Sequence, residues 1–403
     1  MSGAPTDSAR PLDGLIVADL SRVLAGPYCS MMLADLGATV IKVESPAGDD
    51  TRTWSPPEKN GVATYYMSIN RNKRSIVLDF RDPDDVALAH ELFRRADVAL
   101  ENFMPGTLAK FGLDYDTAAS INPRLIYLSI SGFGPAGGAR LPGYDLVVQA
   151  VSGLMSLTGE PDGPPYRAGV ALFDVMTGLH GAIGVLAALE QRRRTGVGQH
   201  VEVDLLSSAL SGLVNQSGGY TAAGVVPYRM GNAHPSVYPY ELLPTKDREV
   251  IVAAANDRQF RAFCEVIGLA ALADDERFSS NAQRTTNRQV LRPILVERLA
   301  TWEADELFAQ LNAAGVPCGP VNTIGQGVEL AEQLGLAPRI TVGEGEREVD
   351  LIRNPIGFGA GALRYDLPPP LLGEHSDEIR EWLSTPTSDP SATPTPPGGG
   401  PPA

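Results

Sequence analysis

The apolar positions in the first part of the chain form short runs, and stretches with helical spacing separate them. The runs at 15–20 and 39–44 have the length of buried strands. The stretch 28–36 between them is helical in pattern and ends at Gly37, a residue typical of helix C-termini. Further strands are predicted at 75–79, 97–101, 125–130 and 201–204. Regular alternation of strands and helices predicts an α/β fold with a parallel, doubly wound, Rossmann-like sheet.

A second, smaller α/β region follows a stretch rich in Gly, Ser, Tyr and Pro, which has the composition of a linker. The run 250–254 predicts a strand, and helical spacing follows it at 257–267, 285–300 and 303–313. The chain ends are polar or rich in Pro and Gly, so we expect them to be disordered. The expected segments are a disordered N-terminus at 1–11, a large domain at 12–215, a linker at 216–235, a small domain at 236–325, a linker and return to the large domain at 326–384, and a disordered tail at 385–403.

The net charge limits the kinds of binding partner that we expect, and the cysteine content indicates the cellular compartment. The 403 residues carry a net charge of -15, which argues against a basic surface for nucleic acid. Cys29, Cys264 and Cys318 are widely spaced and form no CxxC pair, as expected for free thiols in a reducing compartment. No signal peptide is evident and no apolar run approaches 18 residues. We therefore expect a cytoplasmic protein without a nucleic-acid or membrane partner.

Common catalytic and nucleotide-binding motifs are missing from the sequence. It contains no Walker A motif, no GxSxG elbow and no HExxH. The Gly-rich stretch 132–138 follows a predicted strand, but it includes Pro135 and opens no helix, so a dinucleotide fingerprint is not supported. The five histidines show no metal-ligand spacing. We expect neither a metal site nor a permanently bound cofactor.

One carboxylate stands between an apolar run and an apolar helix. Asp174 follows Leu172 and Phe173, and a long stretch rich in Ala and Leu continues from Gly178. A carboxylate in this position is either a helix N-cap or a partly desolvated nucleophile, because N–H groups of a first helical turn stabilise an anion in both cases. The residues around Asp174 leave both interpretations open.

Several short motifs, taken in order along the chain, resemble those of family III CoA-transferases. Relatives of this type are formyl-CoA:oxalate transferase, carnitine CoA-transferase and the 2-methylacyl-CoA racemases. The resemblance extends over about 12–384. The motifs that carry it lie at 12–14, 25–27, 34–38, 40–44, 72–75, 101–103, 105–106, 143–145, 195–199, 201–203, 316–321 and 371–375.

The resemblance implies a role for individual residues. Asp174 matches the catalytic aspartate of the family, and Asp145 lies where the formyl-CoA enzyme has a Glu near its nucleophile. Two departures, Leu24 in place of a Gln and Ser45 in place of an Arg, argue against oxalate specificity but not against CoA binding. The residues that we expect to hold CoA or line its channel are Val23, Leu24, Leu78, Arg81, Asn102, Phe103, Lys110, Tyr144 and Asp145.

The resemblance also implies the reaction and the assembly. The substrates are an acyl-CoA thioester and a carboxylic acid, and CoA passes between them through an aspartyl anhydride and an aspartyl-CoA thioester on Asp174. The assembly is an interlocked dimer of ring-like subunits. The alternative is a 2-methylacyl-CoA racemase, but Tyr144 replaces the His that racemases use, and a phenol is a poor base at neutral pH. A non-catalytic CoA-binding protein would not need Asp174, and a thioesterase is disfavoured because no Ser/His/Asp set appears in this sequence.

Overall fold

The structure is a computed structural model that describes residues 10–359 and 363–386. The predicted disordered ends therefore lie outside the described residues, except for residues 10, 11, 385 and 386. The chain forms two compact units, and each is described by itself. The first contains the chain up to Ser152, Ala168–Ala222 and the chain from Ala337, and the second contains Gly153–Arg167 and Ala223–Leu336.

The strands of the described residues are short. In chain order they are β1 Ile16–Asp19, β2 Thr39–Glu44, β3 Glu58–Lys59, β4 Val62–Ala63, β5 Lys73–Val77, β6 Val98–Glu101, β7 Ile126–Ser131, β8 His200–Asp204, β9 Tyr240–Pro244, β10 Glu249–Ala253, β11 Cys318–Pro320, β12 Arg339–Val342 and β13 Val349–Ile352.

The helices differ widely in length. In chain order they are α1 Ala25–Asp35, α2 Thr64–Ser68, α3 Pro83–Arg95, α4 Tyr115–Ile121, α5 Asp145–Val151, α6 Leu154–Leu157, α7 Leu172–Thr195, α8 Leu205–Gly212, α9 Val214–Ala223, α10 Asp257–Val266, α11 Asn281–Thr286, α12 Arg288–Leu299, α13 Ala304–Ala313, α14 Ile324–Gln333 and α15 Ser376–Ser384.

The first unit is built on a parallel sheet. Among the described residues six strands form it, in the order β5-β2-β1-β6-β7-β8. The chain moves outward from β1 through β2 to β5 in one direction, and from β6 through β7 to β8 in the other. The carboxyl ends of β1 and β6 therefore form a switch point, the place where open α/β sheets bind ligands. The predicted parallel α/β sheet is confirmed.

Helices cover both faces of this sheet. Side chains alternate between the two faces along each strand. On one face Ile16 of β1 shares a buried cluster with Leu92 of α3 and Ile379 of α15. On the other face α7 comes close to β7, since a Cβ added to Gly181 would lie 3.0 Å from Leu128 Cδ2. Apolar side chains are therefore buried whichever face of the sheet they point to, as in a doubly wound sheet.

The second unit has its own sheet and its own core. Its strands are antiparallel in the order β11-β10-β9, and Val250 pairs with Leu243 and with Pro320. Both Val250 and Leu243 are fully buried in a cluster with Phe260 of α10 and Leu295 of α12. The apolar faces of the amphipathic helices thus pack against one small sheet.

Two details of the chain division go beyond what the sequence indicates. Residues 153–167, expected within the large domain, cluster with the second unit. Helix α9 occupies the start of the stretch predicted as a linker, where Thr221 Oγ1 donates to the carbonyl of Ser217 at 3.0 Å. No proline interrupts the chain between the start of α9 and Pro227, so a helix can continue there. The predicted domain boundaries stay a prediction.

Helix α7 is long and apolar enough to cross a membrane by length and composition, which the sequence analysis did not anticipate. Core helices of soluble proteins can have the same length and composition. Its buried residues include Phe173, Gly178 and Val185. Packing against α1 and the sheet accounts for these buried positions, whereas Ile183 on the same helix is exposed. The cytoplasmic location stays a prediction.

Candidate active site

Asp174 is the third residue of α7 and is partly buried. The N-cap position belongs to Ala171, which has no side chain able to accept the first-turn N–H groups. The N-cap interpretation of Asp174 is therefore wrong. The helix begins two residues before it, and the Asp174 carboxylate is not used to close the helix end.

A carboxylate from another helix takes over the capping. One oxygen of Asp145, the first residue of α5, accepts the N–H of Phe173 at 2.7 Å and the N–H of Asp174 at 3.3 Å. Its other oxygen accepts from Gln149 Nε2 at 2.5 Å. Gln149 also donates to the carbonyl of Val170 at 3.0 Å. Helix α5 thus fixes the start of α7, and with it the backbone of Asp174.

The surroundings of Asp174 favour its neutral form. Burial first, and the negative charge of Asp145 second, raise the pKa of Asp174 to about 7. A carboxylate with such a pKa is only half ionised at neutral pH, and its anion is poorly solvated. Perturbed carboxylates of this kind are concentrated at catalytic sites.

Close packing of α7 on α1 sets the depth of the site. A Cβ added to Gly178 would lie 2.6 Å from the carbonyl oxygen of Ala25, a distance that real side chains do not adopt. Glycine at this position therefore lets the start of α7 approach the start of α1. Asp174, one helical turn before Gly178, is brought beside the loop that follows β1.

A cavity of about 200 Å³ opens beside Asp174 at the switch point of the sheet. Loops that follow β1, β6 and β7 line it, which is the expected location for a ligand in this fold. Five residues predicted from the sequence line this cavity together with Asp174: Val23, Leu24, Asn102, Phe103 and Tyr144.

Two of these residues are connected to Arg22, which also lines the cavity. Asn102 accepts the Arg22 N–H through Oδ1 at 2.9 Å and donates to the Arg22 carbonyl through Nδ2 at 2.6 Å. The Arg22 guanidinium lies 5.5 Å from the centre of the Phe103 ring. The amide of Asn102 is therefore engaged in holding the loop after β1.

The other predicted ligand residues are not among those that line this cavity. Leu78 is buried in the core cluster, and its N–H donates to the carbonyl of Glu44 at 2.9 Å. Arg81 is exposed and paired with Asp79 at 2.7 Å. Lys110 is exposed on a 3₁₀ turn at Leu108–Phe111. Their assignment to CoA stays a prediction.

Sequence reasoning missed Tyr65, which belongs to the short helix α2. Burial, followed by the charges of Asp174 and Asp145, raises the pKa of Tyr65 to about 12. Its ring packs edge-on against Trp54 with 5.3 Å between the ring centres. The phenol therefore keeps its proton at neutral pH and is available as a hydrogen-bond donor. The adjacent pair of tyrosines in the sequence was the available signal, but it did not distinguish Tyr65 from Tyr66.

Main-chain N–H groups near Asp174 are only in part available to stabilise an oxyanion. The first-turn N–H groups of α7 at Phe173 and Asp174 are taken by Asp145, and the N–H of Gly134 donates to Ser131 Oγ at 3.0 Å. Gly132 and Phe133 line the cavity with Asp174. The glycine at 132 is required because its backbone crosses that of Gly143, where a Cβ would lie 2.5 Å from the Gly143 Cα.

No metal site is apparent in the part of the chain that the structure describes, since no three His, Cys, Asp or Glu side chains are grouped to hold an ion. The prediction that the enzyme needs neither a metal nor a bound cofactor stays a prediction.

Comparison with known proteins identifies the family. The description "CoA-transferase family III" matches residues 12–376. The succinate–glutarate CoA-transferase of Agrobacterium fabrum is 44% identical over 93% of this chain and 96% of its own, and the human succinyl-CoA:glutarate CoA-transferase is 40% identical over 93% and 86%. A crystal structure of a CaiB/BaiF family protein from Brucella suis is similar, with a TM-score of 0.84, 44% identity, and coverage of 94% of this chain and 100% of that one. The chain belongs to CoA-transferase family III and is an enzyme of that family.

Proposed function

We propose that the protein moves CoA between succinyl-CoA and a short dicarboxylic acid such as glutarate, with Asp174 as the covalent carrier. The observation that carries the proposal is the carboxylate of Asp174, which has a pKa of about 7 and lies beside the cavity at the switch point. A poorly solvated carboxylate is a stronger nucleophile toward a thioester than one in water.

The reaction proceeds through four exchanges at carbonyl carbon. The Asp174 carboxylate attacks the thioester, the C–S bond breaks, and an acyl-aspartyl anhydride and CoA thiolate form. The thiolate attacks the aspartyl carbonyl, which releases the donor acid as its carboxylate and leaves aspartyl-CoA. The acceptor carboxylate then displaces the thiolate, and the thiolate attacks the acceptor carbonyl of the new anhydride. Product acyl-CoA leaves, Asp174 is again a carboxylate, and no proton is consumed.

Two groups support the charge that develops in these steps. The Tyr65 hydroxyl keeps its proton, because the pKa of that residue is raised to about 12. Main-chain N–H groups of Gly132 and Phe133, in the loop that lines the cavity, are the second set of donors. Donors aimed at a developing oxyanion in a dry site are worth more than in water.

The dicarboxylate assignment has two supports. Two relatives that match this chain over nearly its whole length are named for succinate or succinyl-CoA and glutarate. Arg22 is the cation among the described residues that line the cavity, and its guanidinium is 53% exposed with one partner, Asp50, at 3.3 Å. An exposed guanidinium can bind a second carboxylate in a bidentate manner.

The racemase alternative is not favoured. The relatives named above are CoA-transferases. The position of the racemase His holds Tyr144, a residue that is 58% exposed and that directly precedes α5. Racemisation needs a base on each side of the α-carbon, and a phenol does not meet that need at neutral pH.

The test is a comparison of two asparagine variants of first-turn aspartates. Asp174→Asn should lower the exchange of CoA between succinyl-CoA and glutarate by more than about a thousandfold, because the carrier is lost. Asp84→Asn is the matched control, since Asp84 lies in the first turn of α3 but is exposed. Product acyl-CoA is measured by chromatography, with oxalate and acetate as further acceptors. Turnover of Asp174→Asn within about tenfold of wild type would refute the role of Asp174.

We also propose the interlocked homodimer that the family resemblance implies. Exposed apolar side chains on α7 and α5 support a large contact between subunits, with Ile183 64% and Val151 58% exposed. Light scattering should give twice the mass of the 42.8 kDa chain. A monomer at micromolar concentration with full activity would contradict the proposal.

A further inference from the structure

The loop between β1 and α1 contains a strained residue at the cavity wall. Val23 has a φ of 69°, in the left-handed region. For a β-branched side chain this conformation is a genuine outlier, and it persists only where surrounding contacts hold it. Val23 and its neighbours Arg22 and Leu24 line the cavity beside Asp174. The contacts that hold Val23 therefore also shape the wall against which a thioester would lie.

The main contact comes from Asp49, which follows β2. One Asp49 oxygen accepts the Val23 N–H at 3.3 Å, and it also accepts the N–H and the hydroxyl of Thr51 at 3.0 and 2.7 Å. The other oxygen pairs with Lys42 Nζ at 2.8 Å. Lys42 in turn donates to the carbonyl of Ser21 at 3.0 Å. The pair of Asp49 and Lys42 thus holds the loop at two backbone points, Ser21 and Val23.

Both charges of this pair are buried. The side chain of Lys42 is 0% exposed and that of Asp49 is 1% exposed. Burial disfavours both ions, but their mutual attraction outweighs it, so the pKa of Asp49 is lowered and that of Lys42 is raised. Nearby buried charges balance in sign: Asp19 pairs with Lys73, and Glu44 pairs with Arg52. Loss of one carboxylate would leave a buried ammonium without its counter-ion.

We infer that Asp49 is a positioning residue for CoA transfer, which holds Val23 in its left-handed conformation and so fixes the loop beside Asp174. The inference rests on the proposed function, because it assumes that the acyl-CoA thioester lies in this cavity. Asp49 does not line the cavity, so it acts through the backbone of Val23 and not on the substrate.

Asp49→Asn separates the two tasks of the carboxylate. A carboxylate has two acceptor oxygens, whereas an amide has one acceptor oxygen and one donor group. An asparagine can accept from Val23 or from Lys42, but not from both. We expect kcat/KM for succinyl-CoA to fall by roughly tenfold to a hundredfold, because small misplacement of groups at a reacting centre has effects of this size.

The decisive measurement is the same substitution in a Val23→Gly background. Glycine adopts positive φ without steric cost, so the loop no longer depends on Asp49 to hold that conformation. Val23→Gly will have its own effect on activity. In its background, however, Asp49→Asn should lower kcat/KM by no more than about threefold, a coupling that a double-mutant cycle measures directly.

A matched control removes a buried aspartate elsewhere in the same unit. Asp35 is fully buried and paired with Arg71 at 2.6 Å, and it is not among the residues that line the cavity. Asp35→Asn should lower the melting temperature but leave kcat/KM of the folded protein within about twofold of wild type. If Asp49→Asn does not fold, Asp49→Leu combined with Lys42→Met removes both charges together with the acceptor of the Val23 N–H, and this pair enters the same cycle.

The inference would be overturned if Asp49→Asn lowered kcat/KM by the same factor in the wild-type and Val23→Gly backgrounds. It would also be overturned if Asp49→Asn lowered kcat/KM by no more than Asp35→Asn does. Failure of the proposed function has a different signature, since Asp174→Asn would then stay active in the same assay whatever the behaviour of Asp49.

Discussion

Asp174 should destabilise the folded protein when it is ionised, and Asp174→Asn measures by how much. The pKa of Asp174 rises from 3.8 to about 7 on folding, mainly through burial. Each pKa unit corresponds to about 1.4 kcal/mol, so the ionised folded state is disfavoured by about 4 kcal/mol as an upper value. Solvent access to a partly buried group reduces this, and we expect roughly 2–3 kcal/mol.

The sign of the pH dependence follows from the raised pKa. At pH values below 3.8 Asp174 is protonated in both states, and its contribution to stability is fully present. As pH rises from 3.8 to about 7, the unfolded state loses this proton before the folded state does, so the contribution is lost. Above pH 7 the loss is complete. The side chain that Asp174→Asn introduces does not titrate, so the difference in unfolding free energy between variant and wild type isolates this one group.

The assay is urea unfolding of wild type, Asp174→Asn and the exposed control Asp84→Asn at pH 5, 7 and 8.5. The stability gain of Asp174→Asn over wild type should be roughly 1.5 kcal/mol at pH 5, which is already about one unit above the unfolded-state pKa of 3.8, and should rise to roughly 2–3 kcal/mol at pH 8.5. Asp84→Asn should show no such gain. A gain for Asp174→Asn that is absent at pH 8.5, or equal at pH 5 and 8.5, would refute the reasoning.

Further predictions concern the groups that set the site. Asp145→Asn removes the charge that helps to raise the pKa of Asp174. The acidic limb of the kcat/KM–pH profile should therefore move to lower pH by on the order of one unit. An acidic limb that does not move would contradict the effect of Asp145 on Asp174. Gly178→Ala places a Cβ 2.6 Å from the Ala25 carbonyl and should cost about 1–3 kcal/mol of stability and most of the activity. Gly327→Ala in exposed α14, where a Cβ meets no atom within 4 Å, should instead stabilise by about 1 kcal/mol; equal effects would exclude the close α1–α7 packing as the cause. Enzyme in deuterium oxide should incorporate no deuterium at the α-carbon of a 2-methylacyl-CoA, and mass spectrometry that finds it would revive the racemase alternative.

Much of the sheet follows from local sequence patterns. The mainly apolar runs that became β1 and β2 are buried at every position because both sheet faces are covered, so their apolar residues do not simply alternate with polar ones. The resemblance then directed attention to Asp174, whose surroundings alone did not decide between an N-cap and a nucleophile.

The remaining features depend on contacts between distant parts of the chain. The start of α7 at Leu172 is set by Asp145, 28 residues before Phe173, and no local rule indicates that partner. Tyr65 and Asp174 are 109 residues apart in the chain, and no local pattern links the two. The strained Val23 depends on Asp49, 26 residues later. Local propensity cannot report such contacts, because it is the tertiary structure that selects them.

The most direct test of the account is to trap the intermediate on Asp174. Enzyme incubated with succinyl-CoA and no acceptor is quenched and treated with hydroxylamine or borohydride. Trypsin cleavage after Arg167 and Arg192 yields peptide 168–192, whose carboxylate side chains are those of Asp174 and Glu190. We expect a hydroxamate, or an alcohol after reduction, that fragmentation assigns to Asp174. Single-turnover exchange by active enzyme without any label on Asp174 would contradict it.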